Sequence, residues 1–194
     1  MRLGRLLLLF AVALAGAFAA PPTQAAPEGR ATATRGAAAA LMVGQWQVLG
    51  SATQAETIWM TELTLQPTEP TAAELAAARL GPEAAAQVLD ARRRAQAEPN
   101  SPELAALRRL VADSARFTLT ISADRITSSM GGTIDTLRYT VTATDGLRAT
   151  VMATNGSGKT QQLQFTVPEP ALMLMGPPGA EPLVLRRLPD APGR

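Results

Sequence analysis

Residues 117–121, Phe-Thr-Leu-Thr-Ile, 137–142, Leu-Arg-Tyr-Thr-Val-Thr, and 163–167, Leu-Gln-Phe-Thr-Val, share one pattern. Apolar side chains alternate with Thr, Arg or Gln, and a period of two is that of a strand with one face buried. Gly131-Gly132, Asp145-Gly146 and Asn155-Gly156 punctuate the same region, dipeptides that tolerate the positive φ of tight hairpin turns. From Arg116 onward the runs near 116–122, 125–130, 134–143, 147–154, 159–167, 171–175 and 182–188 make seven strands of an antiparallel meander. Upstream, Gly44-Gln45-Trp46-Gln47-Val48-Leu49 alternates in the same way and adds an eighth.

Between the first strand and the rest lies a helical block. Thr53 with Glu56 and Thr71 with Glu74 have capping-box spacing. Gly81-Pro82 and Ser101-Pro102 place proline at first helical positions. Four short helices follow, at about 53–65, 71–80, 82–97 and 102–114. Leu104, Leu107, Leu110 and Val111 form one apolar stripe on the last. The expected fold class is α+β: an eight-stranded antiparallel meander, closed or partly closed into a barrel, with four helices inserted between strands 1 and 2 and packed over one end or face.

The flanks differ from this domain. Arg2 and Arg5 precede an apolar run from Leu6 to Ala20, and Pro21-Pro22 follow at once. That order is read as a secretory signal peptide over 1–19, with Ala17-Phe18-Ala19 as the cleavage box. Residues 20–40 are Ala, Pro, Thr and Gly, too poor in large apolar groups to offset ordering entropy, and are expected to be a disordered arm. The domain spans 41–188, and 189–194 reads as a second disordered tail. The destination is periplasmic or secreted, and after cleavage no stable membrane insertion is expected.

Composition removes whole classes of function. Without the two signal-peptide arginines, 16 basic residues face 16 acidic ones, so the mature chain is neutral and nucleic-acid binding lacks its electrostatic basis. The run Arg92-Arg93-Arg94 and the pair Arg108-Arg109 are interleaved with acids and read as solvated helix faces. With no His and no Cys, a Ser-His-Asp triad, a thiol nucleophile and an ordinary zinc site are ruled out. Gly156-Ser157-Gly158-Lys159-Thr160 resembles part of a phosphate loop, but Ala153 stands where the motif needs Gly and a strand follows instead of a helix. Lys159 in that turn is solvated, a poor partner for a serine nucleophile. Asp124, Asp135 and Asp145 read as strand and turn carboxylates, and Met173 with Met175 as core filler in place of a copper site. No catalytic residue, metal or cofactor is therefore expected, and the chain is read as a non-enzyme.

Gly44-Gln45-Trp46, the Leu119-Thr120-Ile121 to Arg125-Ile126-Thr127 hairpin, Gly158-Lys159-Thr160 and the closing Leu185-Arg186-Arg187 together resemble the calycin plan. Within it, the chain is similar to the lipid-binding proteins, in which helices between the first two strands cap the barrel mouth, and to lipocalin-like domains of small exported bacterial proteins. The Arg-x-Tyr pair that holds a fatty-acid carboxylate in that family is missing, because Leu188 stands two residues after Arg186.

What the resemblance implies is non-enzymatic binding of a small apolar ligand, in an interior lined by Leu119, Ile121, Tyr139, Val141, Val151 and Phe165. Tyr139 carries the only hydroxyl of the set. Trp46 is expected to meet Arg186 or Arg187 of the last strand, since closure brings the two strands together and consecutive residues face opposite ways. An eight-stranded barrel holds either one small ligand or a core of side chains. Ser128, Ala149 and Ala153 leave room for a cavity, whereas Phe117, Tyr139 and Phe165 fill it. A filled interior makes the chain a structural or protein-interaction module of the cell envelope.

Overall fold

The computed structural model describes residues 37–189 of the 194-residue chain. The expected signal peptide, the arm as far as residue 36 and the tail from residue 190 lie outside the described residues. The chain forms α1 (Ala37–Met42), β1 (Gly44–Gly50), α2 (Ala52–Leu65), α3 (Ala72–Ala77), α4 (Pro82–Ala97), α5 (Pro102–Ser114), β2 (Phe117–Ile121), β3 (Arg125–Met130), β4 (Thr133–Asp145), β5 (Arg148–Thr154), β6 (Thr160–Glu169), β7 (Leu172–Gly176) and β8 (Leu183–Arg187). The eight strands pair in chain order and close into a barrel through β1 and β8, antiparallel throughout. The expected α+β meander with helices between strands 1 and 2 is therefore the fold, and the sheet closes fully.

Alternation places the apolar side chains inside. Trp46, Leu119, Ile121, Ile126, Leu137, Tyr139, Val151, Leu163, Phe165, Met173 and Leu185 belong to one buried cluster. Outward positions between them are Thr120, Thr127, Thr136, Arg138, Thr140, Thr150, Gln162 and Thr166. A bilayer-spanning barrel turns its apolar band outward. Along β2 to β6 this barrel turns it inward.

The helices pack differently from the mouth cap that the resemblance implies. α2 lies along the outer wall, where Ala55 and Ile58 bury a second apolar cluster with Leu49 of β1, Leu172 of β7 and Val184 of β8. These wall residues sit on the opposite strand face from Val48, Met173 and Leu185, so β1, β7 and β8 are apolar on both sides. α4 and α5 pack on α2 in turn.

Two local expectations are corrected. The first residues of α2 are held by Ser51 and Gln54 in place of Thr53 and Glu56: Ser51 N–H donates to Gln54 Oε1 at 2.9 Å. Thr71 and Glu74 do form the expected box on α3, with Thr71 N–H donating to Glu74 Oε2 at 2.7 Å and Glu74 N–H to Thr71 Oγ1 at 3.2 Å. The backbone bond from Thr71, then its hydroxyl, holds the Glu74 carboxyl below its ordinary range.

The larger correction concerns the arm. Ala37–Ala40 belong to α1, because alanine has the highest helix propensity and the helix delivers Leu41 and Met42 to the barrel. α1 packs against β4, β5 and β6, and Met42 is fully buried in the main cluster. It is α1 that stops one end of the barrel.

Truncating a core side chain costs its transfer energy plus a cavity term. Met42→Ala should therefore lose about 2–5 kcal/mol and Phe165→Ala about 3–5 kcal/mol in urea denaturation. Parent-like stability for Met42→Ala would remove α1 from the core.

Candidate functional site

The closed end of the barrel is built around Trp46. Trp46 Nε1 donates to Met42 O at 2.8 Å, which ties the indole to the last turn of α1. Trp46 lies directly across from Arg187, whose guanidinium carbon sits 5.3 Å from the ring centroid. Arg187 Nη2 also donates to Val43 O at 2.9 Å. Gly44 makes this packing possible: its φ is +145°, and a Cβ there would stand 3.0 Å from Arg187 Nη2. Of the two arginines expected to meet Trp46, Arg187 does so.

Arg186 faces the other way and serves the helical block. Its Nη1 and Nη2 donate to Glu62 Oε2 and Oε1 of α2 at 2.6 and 2.8 Å, a bidentate pair, and Nη2 donates to Gln47 Oε1 at 2.7 Å. Gln47 Nε2 donates to Ser114 Oγ at 3.3 Å, and Ser114 Oγ to Val111 O at 2.8 Å. The polar seam thus runs from β8 through β1 to α5. A second arginine holds the far end of α2: Arg92 is only 6% exposed and donates to Gln66 O at 2.5 Å and Pro67 O at 3.0 Å. Carbonyls at a helix C-terminus lack intrahelical donors and carry partial negative charge, so a guanidinium suits them. The Arg92-Arg93-Arg94 run is therefore a solvated face only at Arg93 and Arg94.

All six expected ligand-contacting residues come together in the interior. Val151 and Phe165 are 0% exposed, Ile121 1%, Leu119 2% and Tyr139 7%, with half-buried Val141 at the edge of the same cluster. The small residues are matched to large ones. Ala149 lies directly across from Phe165, and Ala153 from Tyr139. Side chains around a cavity wide enough for solvent keep accessible surface even when the cavity is closed. These keep almost none. Half-buried Val48, Phe117, Met130 and Leu183 sit toward the end away from α1.

The Tyr139 hydroxyl is engaged. It donates to Ser122 O in the β2–β3 turn at 2.7 Å. Burial, and then the nearby Asp124 carboxylate, push its pKa above the ordinary tyrosine value.

The other polar groups singled out from the sequence serve local structure. Asn155 Oδ1 accepts from Ser157 N–H at 3.1 Å and Lys159 N–H at 3.0 Å, and Gly158 has φ +80°, so Gly156 to Thr160 is a hairpin turn entering β6. Asp124 pairs with Arg125 at 3.6 Å, and Asp135 Oδ1 accepts Thr136 N–H at 2.8 Å. Asp145 lies across from Arg148 where β4 turns into β5. Met173 and Met175 point into the core against Leu185 and Phe165. Among the described residues, no helix is long and apolar enough to cross a membrane. Comparison with family models, curated proteins and solved structures found no match.

Sequence reading did not find Met42, Gln47, Glu62 or Arg92. The first is part of an alanine run, and the other three look like ordinary surface residues until the helices fold back on the wall.

Arg187→Met keeps the aliphatic stem and removes the charge, so it should cost about 0.5–2 kcal/mol in urea denaturation through the lost indole contact. Tyr139 is the only tyrosine in the chain, so absorbance near 295 nm, as phenolate forms, reads it alone. Because its folded pKa is raised, the stability it contributes is complete below the unfolded pKa of about 10 and is lost as pH rises through the folded value. Denaturation midpoints should fall above about pH 10 in the parent, and Tyr139→Phe should remove that part of the fall.

Proposed function

We propose that this protein is a non-enzymatic interaction module of the cell envelope, built on a lipocalin-like barrel whose interior is filled by its own side chains. The observation that supports this is the near-zero exposure of Leu119, Ile121, Val151 and Phe165, with Ala149 and Ala153 each lying across from an aromatic residue. The Gly44-x-Trp46 entry, the Trp46–Arg187 stack at the closed end and the meander order support placing the barrel on the calycin plan. Export through the expected signal peptide puts the module in the periplasm or outside the cell. Its partners are then envelope proteins met by the outer wall or the helices, and the neutral mature chain argues against a general nucleic-acid partner.

A second reading, uptake of a small apolar ligand, rests on the half-buried Val48, Phe117, Met130 and Leu183 away from the α1 stopper. Such a ligand would contact the strand ends away from α1 and reach Leu119, Ile121, Tyr139, Val141, Val151 and Phe165 only by displacing packed side chains. Titration with a hydrophobic fluorescent probe separates the two readings. A filled core gives no saturable enhancement, and Val151→Trp then costs about 1–3 kcal/mol through overpacking. Saturable binding that Val151→Trp abolishes without loss of stability would establish the ligand reading instead.

A further inference from the structure

The rim of the barrel is uneven. β5 ends at Thr154, whose partner is Arg138, yet β4 starts further out, at Thr133. Over residues 133–137 β4 pairs with β3 alone, in a register that runs from Met130↔Thr133 to Arg125↔Arg138 without a bulge. The other side of these residues is a strand edge, about 16 Å long at the usual rise.

Which backbone groups face that edge follows from one bond. Tyr139 N–H donates to Asp124 O at 2.9 Å, which continues the β3–β4 register by one pair. Alternate residues of an antiparallel strand direct both backbone groups to the same neighbour. Thr133, Asp135 and Leu137 therefore bond toward β3, and Ile134 and Thr136 turn theirs to the open side. The Asp135 carboxylate already takes the Thr136 N–H. Among the described residues no side chain does this for Ile134. At 69% exposure, Ile134 is also the most exposed large apolar residue described, against 49% for Leu147 and 39% for Val43.

We propose that this edge pairs with the same edge of a second copy, antiparallel about a two-fold axis at Ile134. The register is set by the chain itself. Centred on Ile134, it lets the two Ile134 residues exchange both backbone bonds and brings their exposed side chains together, while Asp135 faces Thr133 and Thr136 faces Gly132. Centred on Asp135, it would oppose two carboxylates and pair Ile134 with Thr136, whose N–H the Asp135 carboxylate already takes. Centred on Thr136, it would need the open side of Arg138, which Thr154 occupies. Self-complementarity in one register, with the apolar residue at its centre, is why the occupant is a copy of this chain. The pairing does not depend on how the barrel interior is used.

So short an edge buries far less than the roughly 1,000 Å² of a stable complex, so the association is weak and concentration-dependent. Sedimentation velocity on the exported protein, from about 10 μM to about 1 mM, should show a monomer–dimer equilibrium. Ile134→Pro removes the N–H on the open side and no bond to β3, so it should keep the parent circular dichroism and remain monomeric. Ile134→Lys leaves the backbone intact but opposes two cations, and should weaken the dimer at low salt. Asp135→Ala frees the Thr136 N–H and should tighten it about five-fold or more. A protein monomeric at every concentration, a dimer that survives both Ile134 variants, or one that Asp135→Ala weakens would each overturn the proposal.

Discussion

The pairing of Trp46 with Arg187 across β1 and β8 is the constraint on which the remaining structure depends. It joins the ends of an eight-stranded sheet, and through Trp46 Nε1 and Arg187 Nη2 it also holds the α1 stopper to the barrel. Because neighbouring strand residues face opposite ways, fixing Arg187 inside fixes Arg186 outside, where it meets Glu62. A slip of one residue would turn Leu185 to the outer wall and set Arg187 against α2. Each such contact is small, on the order of 1 kcal/mol, and Arg186 and Glu62 keep enough exposure for solvent to screen them. The slip is excluded by their agreement with the burial of Leu185 and Met173 more than by either charge pair.

The same closure sets the interior. A barrel of eight strands leaves a space that side chains either fill or leave open for one small ligand. Aromatic residues account for only 4% of the sequence, but Trp46, Tyr139 and Phe165 all point inward, and two of them lie across from alanines. Met42 enters from α1 at one end and Met173 from β7, unbranched side chains that fit irregular gaps. A chain without disulfides must take its stability from such packing.

Much of the fold was legible because its periods are clean. Strands with one wet face alternate, and Gly131-Gly132 and Asp145-Gly146 mark turns, so the meander and the 82–97 and 102–114 helices could be placed to within a residue or two. β7 was legible for a different reason. Leu172-Met173-Leu174-Met175 is apolar on both faces, and bounding turns identified it where alternation did not. What could not be read were contacts between elements. Nothing local separates Glu62 from Glu56, or Arg92 from Arg93; only the docking of α2 on the wall, and of α4 on α2, gives one of each pair a buried partner. Ala37–Ala40 look like a tether because alanine buries little, and the helix is ordered by the two residues that follow it. The interior residues were found as a face. Whether that face surrounds a space depends on which residue lies across from which, and a register such as Ala149↔Phe165 belongs to the strand pair.

Closing a sheet removes its edges only where neighbouring strands are equally long. β1, β7 and β8 gain an outer cover from the helical block, so their strands are protected twice. Among the described residues, β2 to β6 contribute nothing to that outer apolar cluster and rely on hydroxyl and amide side chains to keep their outer face wet. Where β4 outruns β5, neither device applies, and the chain uses a third: a carboxylate bonded to the adjacent backbone N–H, the sort of inward-turned charge that blunts strand edges elsewhere. That protection extends to Thr136 and stops short of Ile134. The region of the barrel least constrained by its own packing is therefore a single residue wide in backbone terms and apolar in side chain. Those are the properties that allow pairing with another strand while keeping it weak.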